Sequence, residues 1–313
     1  MNTSYWERES FLQHFDALVV GAGIAGLSAA IELKLKDGNS KIAVLEKSWL
    51  SDGASSKNAG FACFGSISEF IDDLKDLSFD EVLALAVMRF RGIQKLVKDY
   101  SVESMNLEWN GGYEVFFQED EQSFLVCCEQ VDRFNDAFES QLGIRPYSVL
   151  TVSEFQGIKN LCGVISNKYE GGLNTGLLLQ AMRARAVRLG IQVFQGVEVS
   201  NYVEKDSFVE VESSVGNWRT QQLAFCTSSF HAELFAEESM HSKRNQVIVT
   251  KPIEGLKLNG TFHHQQGFNY FRNIDGRILM GGMRHLFPHT ESTSVQGTTA
   301  EVIQSLVEFI QHK

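Results

Sequence analysis

Short apolar runs and helical stripes alternate along the first part of the chain. Ala17-Leu18-Val19-Val20 is a continuous apolar run, the mark of a buried strand. Gly21-Ala22-Gly23 breaks it with a sharp turn. From Ala25 to about Lys36 the apolar residues Leu27, Ala30, Ile31 and Leu33 recur at helical spacing, and Asp37-Gly38-Asn39 stops the helix. A second apolar run, Lys41 to Leu45, ends on Glu46. The pattern predicts a strand–helix–strand unit of about 30 residues.

The rest of the chain continues the alternation. Ser48 to Ser68 is rich in Gly, Ser and Ala and predicts an extended functional loop. Periodicity predicts helices over 79–100, 124–142 and 175–189, the last with Asn174 as N-cap and Gly190 at its end. Strands are predicted over 112–117, 191–199 and 246–250. Residues 208–211 and 218–223 flank Gly216-Asn217 as a hairpin, and Ala224-Phe225-Cys226 continues as a buried strand. Residues 269–273 and 277–280 flank Asp275-Gly276, which suits a type I′ turn, and Gly281-Gly282 follows. Thr298-x-x-Glu301 reads as a capping box opening a last helix through Ile310. Residues 1–15 form a polar and aromatic lead-in. No repeat is visible, and with three prolines there is no Pro-rich linker, so a second domain is expected to interleave with the first.

Composition narrows the class. With 313 residues, 43% hydrophobic and 21% charged, the chain is long and apolar enough for a large core, which excludes disordered, collagenous and low-complexity classes. A net charge of −11 disfavours nucleic acid or an anionic membrane as the main partner, while leaving room for a local basic pocket. Cys63, Cys127, Cys128, Cys162 and Cys226 are odd in number and lack CxxC spacing, against a disulfide framework or zinc site. Free thiols fit a reducing compartment. Met1 to Phe15 shows no leader-like apolar region, and no apolar stretch reaches the roughly 18–20 residues of a membrane span. The expectation is a cytoplasmic protein.

The chemistry is concentrated at the first turn. Gly21-Ala22-Gly23-Ile24-Ala25-Gly26 follows a predicted strand and opens a predicted helix, and Glu46 ends the next strand. Gly21 permits the tight turn, Gly23 lets the backbone approach a pyrophosphate, and Gly26 lets helix and strand pack closely. Free N–H groups at the helix start, Ile24 and Ala25 included, face the phosphate charge. Glu46 accepts hydrogen bonds from a ribose diol, and its charge opposes a 2′-phosphate, against NADP. A glycine-rich turn without ligand is the alternative. The turn alone does not choose between NAD and FAD. The small residues of Gly53-Ala-Ser-Ser-Lys-Asn-Ala-Gly60 let a flat ring system lie against backbone, which favours FAD over an NAD-linked dehydrogenase; a flexible surface loop is the bland alternative.

With these motifs the sequence resembles the FAD-dependent D-amino-acid oxidase family, which includes glycine, sarcosine and γ-glutamylputrescine oxidases. The likeness rests on VVGAGIAGLSAA with LEK (19–30, 45–47), GASSKNAGF (53–61), EGGLNTGLLLQAM (170–182) followed by GVEVSNY, and FNYFRNIDGRILMGGMRH (268–285). Ser4-Tyr5-Trp6 is similar to the γ-glutamylputrescine oxidase branch. The resemblance implies that Gly21, Gly23 and Gly26 hold the FAD pyrophosphate, Glu46 the ribose, and Lys47 lies beside adenine. It implies that Ser55, Ser56, Asn58, Ala59 and Gly60 cradle the pyrophosphate and flavin side. The resemblance also implies that Val199 contacts adenine through its backbone and that Thr227 lies close to the FAD. Ser56-Lys57 departs from the usual Gly-Arg, and the chain ends at Lys313 where members of the family run some tens of residues further.

The implied reaction is hydride transfer from a C–H beside an amine to flavin N5, with hydrolysis of the imine and reoxidation by oxygen or another acceptor. The cofactor carries the hard step, so no catalytic triad is required. Tyr270, Arg272 and Arg284 on the Asn269–Arg284 hairpin are candidates to reach a substrate carboxylate or the flavin; for Arg272 and Arg277, solvated strand charges are the alternative. Cys63 reads as a thioether attachment point or a small packed residue, with FAD taken as non-covalent. His263-His264 reads as a surface pair and not a chelate, because adjacent strand residues point to opposite faces; no metal site is expected. The fold class is α/β: a Rossmann-like FAD-binding domain with a parallel sheet (1–100, 151–230 and 281–313) and an interleaved antiparallel or mixed-sheet substrate domain (101–150 and 231–280). The expected function is FAD-dependent oxidation of the C–N bond of a small-molecule amino acid or amine. The alternative is a non-catalytic flavin-binding subunit that needs a second subunit or a C-terminal segment.

Overall fold

Strand and helix boundaries follow local chemistry where glycines and caps act alone. The computed structural model describes residues 4–11, 14–155, 157–235 and 240–313; the lead-in at 1–3 and 12–13, and residues 236–239 of the expected second domain, lie outside the described residues. The first half contains α1 (Tyr5–Ser10), β1 (His14–Val20), α2 (Ile24–Lys36), β2 (Ile42–Glu46), α3 (Ala54–Lys57), β3 (Phe61–Ala62), α4 (Ile67–Asp73), α5 (Phe79–Tyr100), β4 (Gly112–Phe117), α6 (Glu121–Leu142) and β5 (Tyr147–Leu150). It is followed by β6 (Leu161–Asn167), β7 (Gly171–Gly172), α7 (Thr175–Arg188), β8 (Gln192–Gln195), β9 (Val199–Glu204), β10 (Val209–Ser213) and β11 (Gly216–Phe225). The last part contains α8 (His231–Phe235), β12 (Gln246–Val249), β13 (Thr261–His264), β14 (Asn269–Ile274), β15 (Arg277–Gly282) and α9 (Ala300–His312).

The chain divides into two compact units, residues 1–58 with 175–242 and residues 59–174 with 243–313. The boundaries expected near 100, 151, 230 and 281 do not coincide with these: 59–100, 151–174 and 281–313 all belong to the second unit. The reason for the last is visible in α9, whose Val302 and Leu306 are buried with Val115, Phe117 and Met280 of the second unit.

The first unit is built on a six-stranded sheet in the order β8-β2-β1-β11-β10-β9. β8, β2, β1 and β11 run parallel, and β11, β10 and β9 form an antiparallel meander. Phe15, Leu18, Leu45, Val211 and Trp218 form its core. The strand expected over 191–199 is two strands, because Gly196 at φ +74° turns the chain between β8 and β9. The turn expected at Gly216-Asn217 lies two residues earlier, at Ser214-Val215: Ser213 pairs with Gly216, so both predicted turn residues are in β11.

The second unit holds a seven-stranded sheet, β12-β15-β14-β13-β4-β6-β5, antiparallel except at β13 and β4. β5 and β6 lie in a stretch for which the sequence pattern predicts no strand. Asp275 and Gly276 have φ +50° and +70°, as the type I′ hairpin between β14 and β15 requires. The predicted 48–68 loop contains α3, β3 and the start of α4. Real capping boxes stand at Ser66/Glu69 and Ser78/Glu81. The expected one at Thr298/Glu301 is absent: Thr299 is the N-cap, and its hydroxyl donates to Glu291.

Alternation gives this sheet two unlike faces. Val115, Phe117, Phe262, Phe271 and Met280 form an apolar layer under α9. The opposite face carries a transverse polar row, because Glu114 pairs with His263, His263 with Tyr270, and Tyr270 with Gly281.

Candidate active site

In the first unit the glycine turn is as tight as its sequence implies. A Cβ on Gly21 (φ +103°) would lie 2.6 Å from Cys226 O, and one on Gly26 would lie 1.9 Å from Gly21 O. A Cβ on Gly23 would lie 2.8 Å from Ser55 Oγ, so a side chain there would displace the serine hydroxyl, while at Gly21 and Gly26 the backbone admits only glycine. Glu46 is buried at the end of β2. Ala22 N–H donates to its Oε2 at 2.8 Å, and Ser48 N–H to its Oε1 at 3.0 Å. A carboxylate has about four acceptor positions, so about two remain for a diol. Ile24 N–H donates to Ser55 Oγ at 3.0 Å, joining the small-residue loop to the helix start; the Ser55 hydroxyl keeps its own proton for another acceptor. Thr227 follows β11 beside Gly21, and its Oγ1 is buried without a hydrogen-bond partner.

The other expected residues are placed differently. Ser56 Oγ donates within its loop to Ser51 O at 2.6 Å, and Asn58 Nδ2 to Ser55 O at 3.0 Å, so both shape the loop. Lys47 is exposed, its Nζ 4.4 Å from the Phe230 ring centre. Val199 is buried in the core, while Val197 N–H donates to Glu46 O at 3.0 Å and carries the chain past the end of β2. Sequence reasoning missed Ser51 and Arg183. Ser51 is buried at φ +49°, and Arg183 Nη2 donates to its Oγ at 2.7 Å. A serine at positive φ has no local signature, and an arginine on an amphipathic helix reads as solvent-facing.

In the second unit, Ala59 and Gly60 lead into β3, which pairs with β7. Tyr270 Oη accepts from Asn245 Nδ2 at 2.8 Å, and its ring meets Phe61 edge-on at 5.8 Å. Burial raises the Tyr270 pKa, against the opposing charge of Arg284, which is half-buried. Arg272 is 5% exposed, so the solvated-charge reading is overturned; its guanidinium binds main-chain carbonyls. Arg277 is half-buried and donates to Thr250 O at 3.1 Å.

His263 and His264 are both buried, not a surface pair. His264 Nε2 lies 3.0 Å from Asp120, and His263 Nε2 3.5 Å from Glu170. Burial works to lower the His263 pKa, but Glu170, Glu69 and Glu114 outweigh it and the net shift is upward. Burial raises that of Glu114, opposed by the Ser68 and Ser66 hydroxyls. Burial, then Glu170, pushes the Cys63 thiol up, which keeps it protonated and a poor nucleophile. Among the described residues no group of three or more side chains could hold a metal, and no helix is long and apolar enough to cross a membrane.

The model of a family described as FAD dependent oxidoreductase (DAO) matches residues 16–312. The chain belongs to this family. FAD is the cofactor of the family, and the glycine cradle, the open acceptor positions of Glu46 and the orphaned Thr227 hydroxyl fit its adenosine diphosphate half. The chain is 25% identical over 288 residues to the probable oxidoreductase OrdL of Haemophilus influenzae, covering 86% of this chain and 65% of that protein. The DAO-family chain thus spans less than two thirds of that relative's length. Its fold is similar to glycine oxidase of Geobacillus kaustophilus (TM-score 0.70, 18% identity, 96% and 78% of the two chains). It is also similar to the FAD-bound L-α-glycerophosphate oxidase of Mycoplasma pneumoniae (TM-score 0.71, 16% identity, 96% and 78% of the two chains).

Replacing Glu46 with alanine removes a charged acceptor from the turn. Hydrogen bonds to charged groups contribute about 1.5–3 kcal/mol, so FAD affinity is expected to fall about tenfold to a hundredfold in a fluorescence titration. Unchanged affinity would exclude Glu46 from the ribose site.

Proposed function

We propose that the protein binds FAD non-covalently and oxidises the C–N bond of an amino acid or amine to an imine, which water then hydrolyses. The observation that carries this reading is the convergence of Glu46, Ser55 and Thr227 on the Gly21–Gly26 turn. Bound FAD supplies the hydride acceptor, N5 of the flavin. Gly21, whose N–H donates to Leu45 O, keeps the turn tight; Gly23 and Ala25 bind the diphosphate through backbone N–H groups, Glu46 takes the ribose, and Ser55, which holds the Ile24 N–H, donates a hydroxyl, as does Thr227. Tyr270 and Arg284 are the groups on the β14–β15 side assigned to substrate, Arg284 supplying positive charge for a carboxylate. A neutral amine needs no protein base to release hydride, which is consistent with the elevated Tyr270 pKa. Oxygen or another acceptor then takes the electrons.

The test is to titrate purified protein with FAD and then mix the yellow complex anaerobically with a panel of amines and amino acids. Loss of the visible flavin band with at least one of them is the expected result. A colourless protein that takes up no FAD sinks the cofactor assignment. Colour that no amine bleaches sinks the catalytic one.

A further inference from the structure

Arg272 is buried on β14, and its hydrogen bonds run to main chain. Nη1 donates to Gly60 O at 2.9 Å, Leu173 O at 3.0 Å and Ala59 O at 3.3 Å, and Nε reaches Asn273 O at 3.3 Å. Gly60 directly precedes β3 and Leu173 directly follows β7. One guanidinium nitrogen therefore holds the end of the β3–β7 ribbon where Leu173 N–H also donates to Gly60 O at 2.7 Å. The slot exists because Gly172 has no side chain: a Cβ there would lie 2.4 Å from the guanidinium carbon. Gly60, at φ +74°, is equally confined, since its Cβ would lie 2.2 Å from Leu173 O.

We infer that Arg272 is a positioning residue, which fixes the main chain at Ala59–Gly60 as the end of the small-residue loop, and not the partner of a substrate carboxylate. This rests on the reading of that loop as part of the FAD site. Apart from the exposed Lys57, the loop Gly53–Gly60 is short side chains and glycine, with little apolar surface to hold it. A segment that must be ordered when ligand binds subtracts that ordering from the affinity. A buried guanidinium is costly to desolvate, and it is tolerated here because planar donors meet several carbonyls at once. Arg272 therefore acts on FAD through the backbone.

Two variants reach the same contact from opposite sides. Arg272→Met keeps the stem and deletes the donors; Gly172→Ala keeps the arginine and pushes its guanidinium off the carbonyls. Amide hydrogen exchange on the FAD-free protein is expected to rise over 59–62 and 171–174 in each variant, with other segments unchanged. FAD affinity by titration is expected to fall about tenfold in both. Unaltered exchange in those segments overturns the clamp. Faster exchange with FAD affinity within twofold of wild type overturns the positioning role and leaves a merely structural one. Wild-type protein that takes up no FAD overturns the cofactor reading alone, and the exchange comparison still decides whether Arg272 holds the segment. If Arg272→Met does not fold, Gly172→Ala carries the test.

Discussion

Replacing Gly26 with alanine is expected to abolish measurable FAD uptake, the largest single effect on the cofactor site. The added Cβ would stand 1.9 Å from Gly21 O, 3.0 Å from Gly21 C and 3.3 Å from Cys226 Cβ. Backbone atoms cannot swing aside, so α2 must lift from β1. Overpacking of this kind costs about 1–3 kcal/mol of stability. The effect on ligand is larger, because the lift displaces the turn and the helix N–H groups together. FAD affinity is expected to fall at least about a hundredfold, equivalent to roughly 2.8 kcal/mol. Gly38→Ala is the control: nothing lies within 4 Å of its added Cβ, and it should leave both affinity and melting temperature close to wild type. A Gly26→Ala protein that binds FAD as wild type does would refute the close packing of helix on strand as a requirement of the site.

The largest effect on stability is expected from Arg244→Leu. Glu291 is 2% exposed and accepts four hydrogen bonds. Arg244 Nη2 donates to Oε1 at 2.9 Å and Nε to Oε2 at 3.0 Å; Thr299 Oγ1 donates at 2.6 Å and Gln246 Nε2 at 2.9 Å. The network ties β12 and the start of α9 to the segment between them. Removing the arginine leaves a buried carboxylate without its counter-charge, which costs about 3–5 kcal/mol. The Arg244 hydrogen bond, helped by Thr299 and Gln246, lowers the Glu291 pKa from 4.5 to about 2, against burial. The folded state thus holds the proton more weakly than the unfolded chain. Its stabilising contribution is fully present above the unfolded value of 4.5 and is lost as pH falls toward about 2. In Arg244→Leu the folded pKa rises, so this acid-side loss is expected to shrink. Urea unfolding from pH 6 to pH 3 would read both: a wild-type-like midpoint at pH 6, or an unchanged pH slope, would refute the network's role.

Much of the first unit was legible in the sequence because its determinants are local. The apolar run before Gly21, the helical stripe after it and Glu46 at the next strand end each reflect one element's own geometry. Asp275-Gly276 was legible for the same reason, since positive φ at two adjacent positions is a property of those two residues. The family likeness extended this to Ser55 and Thr227. Non-local features were misread. Gly216-Asn217 carries a turn signature, yet pairing across β10 and β11 puts both in a strand. Thr298 and Glu301 have capping-box spacing, but Glu291 engages the hydroxyl of Thr299 and moves the helix start.

Sequence alone determined the chemistry of the glycine turn, the periodicity of its elements and the family to which they belong. Tertiary structure decided which polar side chains face a neighbour and which face water. Alternation put Tyr270 and Arg272 on one face of a strand and His263 on the adjacent strand. It did not say that a glycine ribbon more than 90 residues away would cover them. Arg272 meets Gly60 across 212 positions and Leu173 across 99, and such contacts depend on chain closure, which no local pattern encodes.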